Sequence, residues 1–254
     1  KERFGPANAG AVSTVVHDLI TASDTPACFH VFGTPVTTPF ADVDFTALLP
    51  RQRWLNGNNI GFAKAYLHHL RDRPKPDLVE VHGRCHVAAL IKQKRPDLKV
   101  ALYLHNDPRD MKASRTAAER TALLRQMAAV ICVSDYIGGC FLDDLDVSDD
   151  MAAKVRTARN GVARRLTAPS TKSPMVLLVG RMVPEKGILE FAEAVARALA
   201  GVPEWEVVIV GATHFQTAPP GSYEDKVKAA LAPLGSRVRM TGFLPVDEVR
   251  SLQE

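Results

Sequence analysis

The sequence predicts an α/β protein built from two doubly wound parallel sheets. Three observations carry this. First, the short apolar run at 175–179 has the length and composition of a strand buried on both faces, which belongs to a parallel sheet, and 129–133 reads as a further buried strand. Second, strand and helix signals alternate from end to end, the pattern of successive βαβ units. Third, Ala168-Pro-Ser-Thr-Lys-Ser-Pro174 brackets small polar residues with two prolines, after which the βαβ pattern restarts. That stretch is the best linker in the chain. It divides the sequence into a first domain at 1–167, a linker at 168–174 and a second domain at 175–254.

In chain order, residues 9–20 read as a helix after a Gly-containing turn and 28–32 as a strand. Residues 58–70 form a helix with Ile60, Ala63, Tyr66, Leu67 and Leu70 on one face. A strand follows at 77–82, a helix centred on 87–93 and a strand at 99–105. Residues 116–127 are helical, 129–133 a buried strand, 135–142 a short helix and 155–158 a strand that stops at Asn160-Gly161. Beyond the linker come a strand at 175–179, a helix from Gly187 and a strand at 206–210. A helix near 223–234, a strand at 237–241 and a helix from about Val246 complete the order.

With 46% hydrophobic and 24% charged residues in 254, the composition is that of a globular protein with a sizeable core. No apolar run approaches the ~18 residues that span a bilayer, and no signal peptide is evident. Cys28, Cys85, Cys132 and Cys140 lack close-pair metal spacing, and three sit in apolar surroundings. They read as reduced thiols of a cytoplasmic protein. The net charge of +4 is uneven: residues 1–170 carry 23 Lys and Arg against 18 Asp and Glu, residues 171–254 carry 9 against 10. The basic groups cluster at Arg51/Arg53, Arg71/Arg73/Lys75, Lys92/Lys94/Arg95 and Arg164/Arg165. A basic first half suits an anionic partner, such as the inner face of a membrane bound peripherally, or is simply a solvated surface. The few aromatic residues do not interleave with basic ones, which argues against nucleic-acid binding.

The chemistry concentrates where strands end. The run ending in Gly180 is followed at once by Arg181, and Lys186-Gly187 opens a segment with Ile188, Phe191, Ala192, Val195 and Leu199 at helical spacing. Two cations beside a helix N-terminus, at the carboxyl edge of an open sheet, converge on phosphates. A solvated charge pair beside an ordinary turn is the other reading of those two side chains alone. His105 follows the apolar strand 99–104 and falls at its carboxyl end, where His82 and Arg84 end the neighbouring strand. Gly10 precedes the first helix in Pro6-Ala-Asn-Ala-Gly-Ala-Val-Ser13. The triplets Asp42-Val-Asp44 and Asp144-Leu-Asp146 do not end apolar strands, so neither reads as a metal site and no metal is expected. The sequence has no G-x-G-x-x-G, Walker A or G-x-S-x-G pattern, which counts against a dinucleotide oxidoreductase, an NTPase or a serine hydrolase.

Val-Gly180-Arg181, then Pro184-Glu-Lys186-Gly187, then an Ala-Val-Ala helix centre and Trp205-Glu-Val-Val-Ile-Val-Gly211 resembles the retaining glycosyltransferases of family four. Ala129-Val-Ile-Cys-Val-Ser134 and Ala158-Arg-Asn160-Gly-Val162 match further landmarks of that family. The resemblance implies the GT-B architecture, two Rossmann-like domains facing a cleft. It also implies a nucleotide diphosphate sugar, UDP- or GDP-linked, as donor substrate, with no cofactor. Gly180, Arg181 and Lys186 would bind the donor diphosphate, Gly10 would let backbone approach it, and His105 would lie beside the transferred sugar as the catalytic residue. His82 and Arg84 are candidate contacts for a saccharide or lipid-linked acceptor of polysaccharide or lipopolysaccharide biosynthesis. Many members have two adjacent glycines where this chain has Ala9-Gly10. The family's paired-glutamate motif finds no match before Glu254, so the second domain reads as incomplete. Two rival readings stay open: another GT-B enzyme such as a sugar-nucleotide epimerase, and a catalytically silent nucleotide-sugar-binding subunit.

Overall fold

A computed structural model describes residues 3–6, 10–51, 53–161, 172–212 and 221–253. The chain divides into two compact units, Lys1–Ala163 and Arg164–Glu254. Residues 168–171 of the expected linker, together with Ala9, Val162, Arg164 and Arg165, lie outside the described residues.

The first unit opens with α1 (Ala11–Thr21), β1 (Val31–Gly33), β2 (Phe45–Ala47) and α2 (Arg53–His69). It continues through β3 (Val79–His82), α3 (Cys85–Lys94), β4 (Val100–Leu104), α4 (Ala117–Gln126) and β5 (Ala129–Cys132), and closes with α5 (Asp135–Leu142), α6 (Asp149–Ala152) and β6 (Val155–Thr157). Strands β3-β4-β5-β6 pair in parallel in that order, while β1 and β2 form a separate parallel pair. Every residue of β4, which has a strand neighbour on each side, is buried. Val100, Leu102 and Leu104 join Leu124, Met127, Cys132 and Phe141 in the core, where each fully buried aliphatic side chain contributes ~1.5–3 kcal/mol.

Local signals fix the element ends. Glu119 N–H donates to the Thr116 hydroxyl and the Glu119 carboxylate accepts from Thr116 N–H, a capping box that starts α4. Ser134 caps α5 by accepting from Ile137 N–H at 3.2 Å. In α2 the backbone at Gly57 takes φ 72°, so the regular helix begins at Asn58. The expected strand at 28–32 is corrected: Pro26–Cys28 is a 3-10 turn and the strand covers only Val31–Gly33. Pro26 fixes φ and supplies no N–H, which suits a turn start.

The second unit runs β7 (Met175–Val179), α7 (Ile188–Ala198), β8 (Glu206–Val210), α8 (Tyr223–Leu231), β9 (Val238–Gly242) and α9 (Val246–Gln253), with sheet order β7-β8-β9, all parallel. Val207 and Ile209 of β8 pack with Ile188, Ala192 and Val195 of α7 and Val227 and Leu231 of α8. The expectation that 175–179 is buried on both faces is corrected. Among the described strands β7 pairs only with β8, and Val179 remains 46% exposed. The helix expected to reach 234 stops at Leu231 and tightens into a 3-10 turn, Ala232–Arg237, carrying Pro233.

All four cysteines are free thiols, Cys28 exposed and Cys85, Cys132 and Cys140 buried. No helix among the described residues is long and apolar enough to cross a membrane.

Arg120 is a buried cation held by carbonyls. It is 3% exposed. Its Nε donates to Phe141 O at 2.9 Å, Nη1 to Arg115 O at 3.1 Å and to Ser114 O at 3.4 Å, and Nη2 to Asp143 O. These carbonyls include the negative end of the α5 dipole, which stabilises a cation there. Arg120→Leu would leave them buried without donors, so we expect a loss of roughly 2–4 kcal/mol, read as the shift of the urea unfolding midpoint. An unchanged midpoint would show that water replaces the guanidinium at no cost.

Candidate functional site

In the first unit, the site grows from the alternation of β3. Val79 and Val81 are buried, and Glu80 and His82 take the other face. His82 stands in parallel register with Tyr103 of β4, and His105 lies two residues further along. In-register residues of a parallel pair share a face, so Glu80, His82, Tyr103 and His105 come together at the carboxyl end of the sheet. His82 Nδ1 lies 3.0 Å from His105 Nε2, and His82 Nε2 lies 3.5 Å from the Glu80 carboxylate. Tyr103 stacks on both imidazoles, with ring centroids at 4.8 Å and 5.0 Å. The Tyr103 hydroxyl donates to Ala158 O at 3.1 Å.

Burial pulls the His105 imidazole down to a pKa of about 4, and the neighbouring His82 adds to the effect. His105 is therefore neutral at pH 7. The loop after it is pinned. Asp107 accepts from Arg109 N–H and from the Arg109 guanidinium, which also bonds Asp143 and the Cys140 sulfur. The hydrogen bonds from Arg109 hold the Asp107 carboxyl at about 2.

Arg84 precedes α3 and folds back, donating from Nη1 to Gly83 O at 2.7 Å, and makes no bond to either imidazole. His86, in the first turn of α3, titrates low through burial and then the cations Lys112 and Arg84. Gly10 is the N-cap of α1, at φ −78° and ψ 162°. Any residue adopts that backbone, so Gly10 contributes only the absence of a side chain.

In the second unit, Gly180, Arg181 and Lys186 share one turn. Met182 and Ile188, both fully buried, anchor it to the core. Pro184–Lys186 forms a 3-10 turn, and Gly187 takes φ 62° to enter α7. Arg181 and Lys186 are exposed and make no ion pair among the described residues. The three strands of this sheet all finish in glycine or meet one at the next residue. Gly180 N–H donates to Val210 O at 2.9 Å, and Gly211 N–H donates to Gly242 O at 2.8 Å. Gly211 has φ 136°, and a Cβ there would lie 1.8 Å from Gly180 O. The β8–β9 register shifts between Ile209 and Val210, a bulge that sets Gly242 opposite both Val210 and Gly211. Among the described residues the three glycines leave these strand ends without side chains, and Arg181 and Lys186 sit in the turn that follows β7. The Gly180 and Gly211 amides are spent on Val210 O and Gly242 O, so it is the α7 N-terminus and the two cations, without an ion pair among the described residues, that suit a phosphate. An open depression of about 280 Å³ lined by Lys228, Leu231, Gly235, Val238 and Met240 lies at the other end of β9 and holds no predicted site residue. Among the described residues no group of three or more His, Cys, Asp or Glu is arranged to hold a metal ion.

Comparison with known proteins decides the family. The pattern described as Glycosyltransferase Family 4 matches residues 12–165, and that described as Glycosyl transferases group 1 matches residues 163–254. The chain belongs to glycosyltransferase family 4. It is similar to "Putative glycosyltransferase YtcC" of Bacillus subtilis (strain 168), with 24% identity over 191 residues, 69% of this chain and 47% of the relative. The chain thus spans about half the length of the curated relative it matches. Among solved structures it is similar to sucrose-phosphate synthase (tll1590) from Thermosynechococcus elongatus, at TM-score 0.64 and 17% identity, covering 98% of this chain and 70% of that one. It is also similar to Anabaena Alr3699/HepE in complex with UDP and glucose, at TM-score 0.62 and 14% identity, covering 96% and 68%. These likenesses show the GT-B fold.

Several residues around the glycosyltransferase-like turn were not singled out by sequence reasoning. Gly211 and Gly242 belong to the strand ends, and glycine at the end of each of three strands was the available signal. The Tyr223 hydroxyl accepts from Leu189 N–H at 2.9 Å, so one of the free amides expected at the α7 N-terminus is already satisfied. Glu80 beside His82 could have been found from its i−2 position on the same strand face.

Two outcomes check this geometry. Gly211→Ala meets both a positive φ and the Gly180 carbonyl, so it should cost about 1–3 kcal/mol or more in urea unfolding, while Gly201→Ala, in open space, stays near neutral. Equal midpoints for the two variants would contradict the close approach of Gly211 to Gly180. Separately, the His105 ring resonances should titrate near pH 4, below the ordinary imidazole value of about 6.5. Because the folded pKa is lowered, stability from this group is full above about 6.5 and falls as pH drops toward 4. A midpoint of 6 or higher would contradict the buried placement.

Proposed function

We propose that this chain is the donor- and sugar-handling part of a metal-independent retaining glycosyltransferase. It moves a sugar from a UDP- or GDP-linked donor to a saccharide or lipid-linked acceptor in polysaccharide or lipopolysaccharide assembly. One observation carries the reading: a family 4 chain sets Arg181 and Lys186, exposed and without an ion pair among the described residues, in the turn at the carboxyl edge of a parallel sheet whose strands end in glycine. A diphosphate leaving group gains negative charge as the glycosidic bond breaks. Cations fixed in advance stabilise that charge without reorganising. UDP in the HepE structure supports the donor class, as a property of that relative.

His105 is assigned to the sugar. A neutral imidazole can hydrogen-bond a hydroxyl and adds no positive charge beside an oxocarbenium-like centre. His82 and Arg84 are assigned to the acceptor side and Gly10 to backbone approach. The excess of basic residues in the first half fits weak peripheral contact with an anionic cytoplasmic membrane face.

Calorimetric titration of UDP and GDP into the chain tests the donor site. Arg181→Ala and Lys186→Ala should each weaken diphosphate binding about tenfold to a hundredfold, since each removes a charge-assisted contact of roughly 1.5–3 kcal/mol. The free nucleosides should bind both variants as they bind the parent chain. Unchanged diphosphate affinity in both variants would overturn the assignment.

A further inference from the structure

We propose that Glu80 and His82 are positioning residues that fix the tautomer of His105 through a carboxylate–imidazole–imidazole relay, so that His105 presents a bare Nδ1, a hydrogen-bond acceptor, to its ligand. The relay follows from three atoms and one proton per neutral ring. His82 Nε2 faces the Glu80 carboxylate at 3.5 Å. An ionised carboxylate only accepts, so a lone pair turned toward it is repelled and an N–H is attracted. A neutral imidazole carries a single N–H, and in His82 this contact draws it to Nε2. Its Nδ1 is then a lone pair. That lone pair lies 3.0 Å from His105 Nε2, so the proton between the rings belongs to His105 Nε2. A neutral His105 has no second proton, and its Nδ1 is bare.

The surrounding geometry holds both rings to this arrangement. The His82 and His105 planes lie 14° and 17° from the Tyr103 ring that stacks on them, and Tyr103 is tethered by its hydroxyl to Ala158 O. Flipping either imidazole would exchange a nitrogen for a carbon at the 3.0 Å contact. The logic is that of a histidine whose working nitrogen is set by the hydrogen bond made by the other. A bare Nδ1 selects a ligand that donates. On the reading given above, which this step rests on, the donor is a hydroxyl of the transferred sugar. The relay itself is independent of that reading and is measurable with no substrate present.

The test is long-range proton–nitrogen correlation on the whole chain labelled with 15N-histidine at pH 8, with His105 assigned by the loss of its signals in His105→Gln. The expected result has the ring proton bonded to His105 Nε2, a coupling from that nitrogen across the hydrogen bond to His82 Nδ1, and an unprotonated His105 Nδ1. His82→Phe keeps a stacking ring but removes the acceptor, and should abolish the cross-ring coupling and move the His105 ring proton upfield. His82→Asn returns a carbonyl oxygen near the Nδ1 position and should restore much of that proton's downfield shift. Glu80→Leu should increase the fraction of His105 protonated at Nδ1. The proposal is overturned if the wild-type chain carries the shared proton on His82 Nδ1, or if no coupling crosses between the rings. The wild-type spectrum decides this even where a variant fails to fold. Failure here would leave the Arg181 and Lys186 diphosphate site untouched, and failure of that site would leave the relay standing.

Discussion

The constraint on which the rest depends is that β4 and β8, the most buried strands of the two larger sheets, have almost no room for chemistry along their length. Every residue of β4 is buried, as are Val207, Val208, Ile209 and Val210 of β8. A strand hydrogen-bonded on both edges and covered by apolar packing can carry polar groups only where pairing ends. In a parallel sheet the strands end together on one edge, so polar and special residues from distant parts of the sequence gather there. His105 after β4 and Gly211 after β8 follow from that rule, and His82, Gly180 and Gly242 end the strands beside them.

Each edge solves a different physical problem. In the first unit the issue is orientation, because an imidazole at a strand end is free to rotate. Stacking on Tyr103, the contact with His82 and the Asp107–Arg109 loop remove that freedom. In the second unit the issue, on the proposed function, is access of an anion to the strand ends. Three glycines and a bulge keep side chains off the described strand ends, and Gly187, at φ 62°, turns the chain from Lys186 into α7. Arg181 and Lys186 make no ion pair among the described residues, which on the proposed function leaves their charge for a ligand.

Much of this was legible in the sequence. Residues 135–142, 175–179 and 206–210 form the expected elements to the residue, because capping at Ser134 and continuous apolar runs are strong local signals. The turn holding Arg181 and Lys186 was legible for the same reason: a strand end, a proline and a glycine mark it. What was not legible depends on pairing. β2 is three residues long and has no period to read. The partial exposure of β7 follows from its single neighbour, which composition cannot reveal. The contact between His82 and His105 needs the register of β3 on β4, and the carbonyl cage of Arg120 needs the approach of α5 to α4. A charged residue in a helical stretch reads as solvated until that neighbour is known.

The account stands on the claim that the carboxyl edge of the second unit's sheet receives a nucleoside diphosphate. The most direct measurement is the backbone amide spectrum of the 15N-labelled chain during titration with UDP and, separately, GDP. The account predicts that the largest shifts fall on Gly180, Arg181, Lys186, Gly187, Gly211 and Gly242 with at least one of the two nucleotides. Saturating nucleotide that leaves those six amides unmoved while shifting others would contradict it.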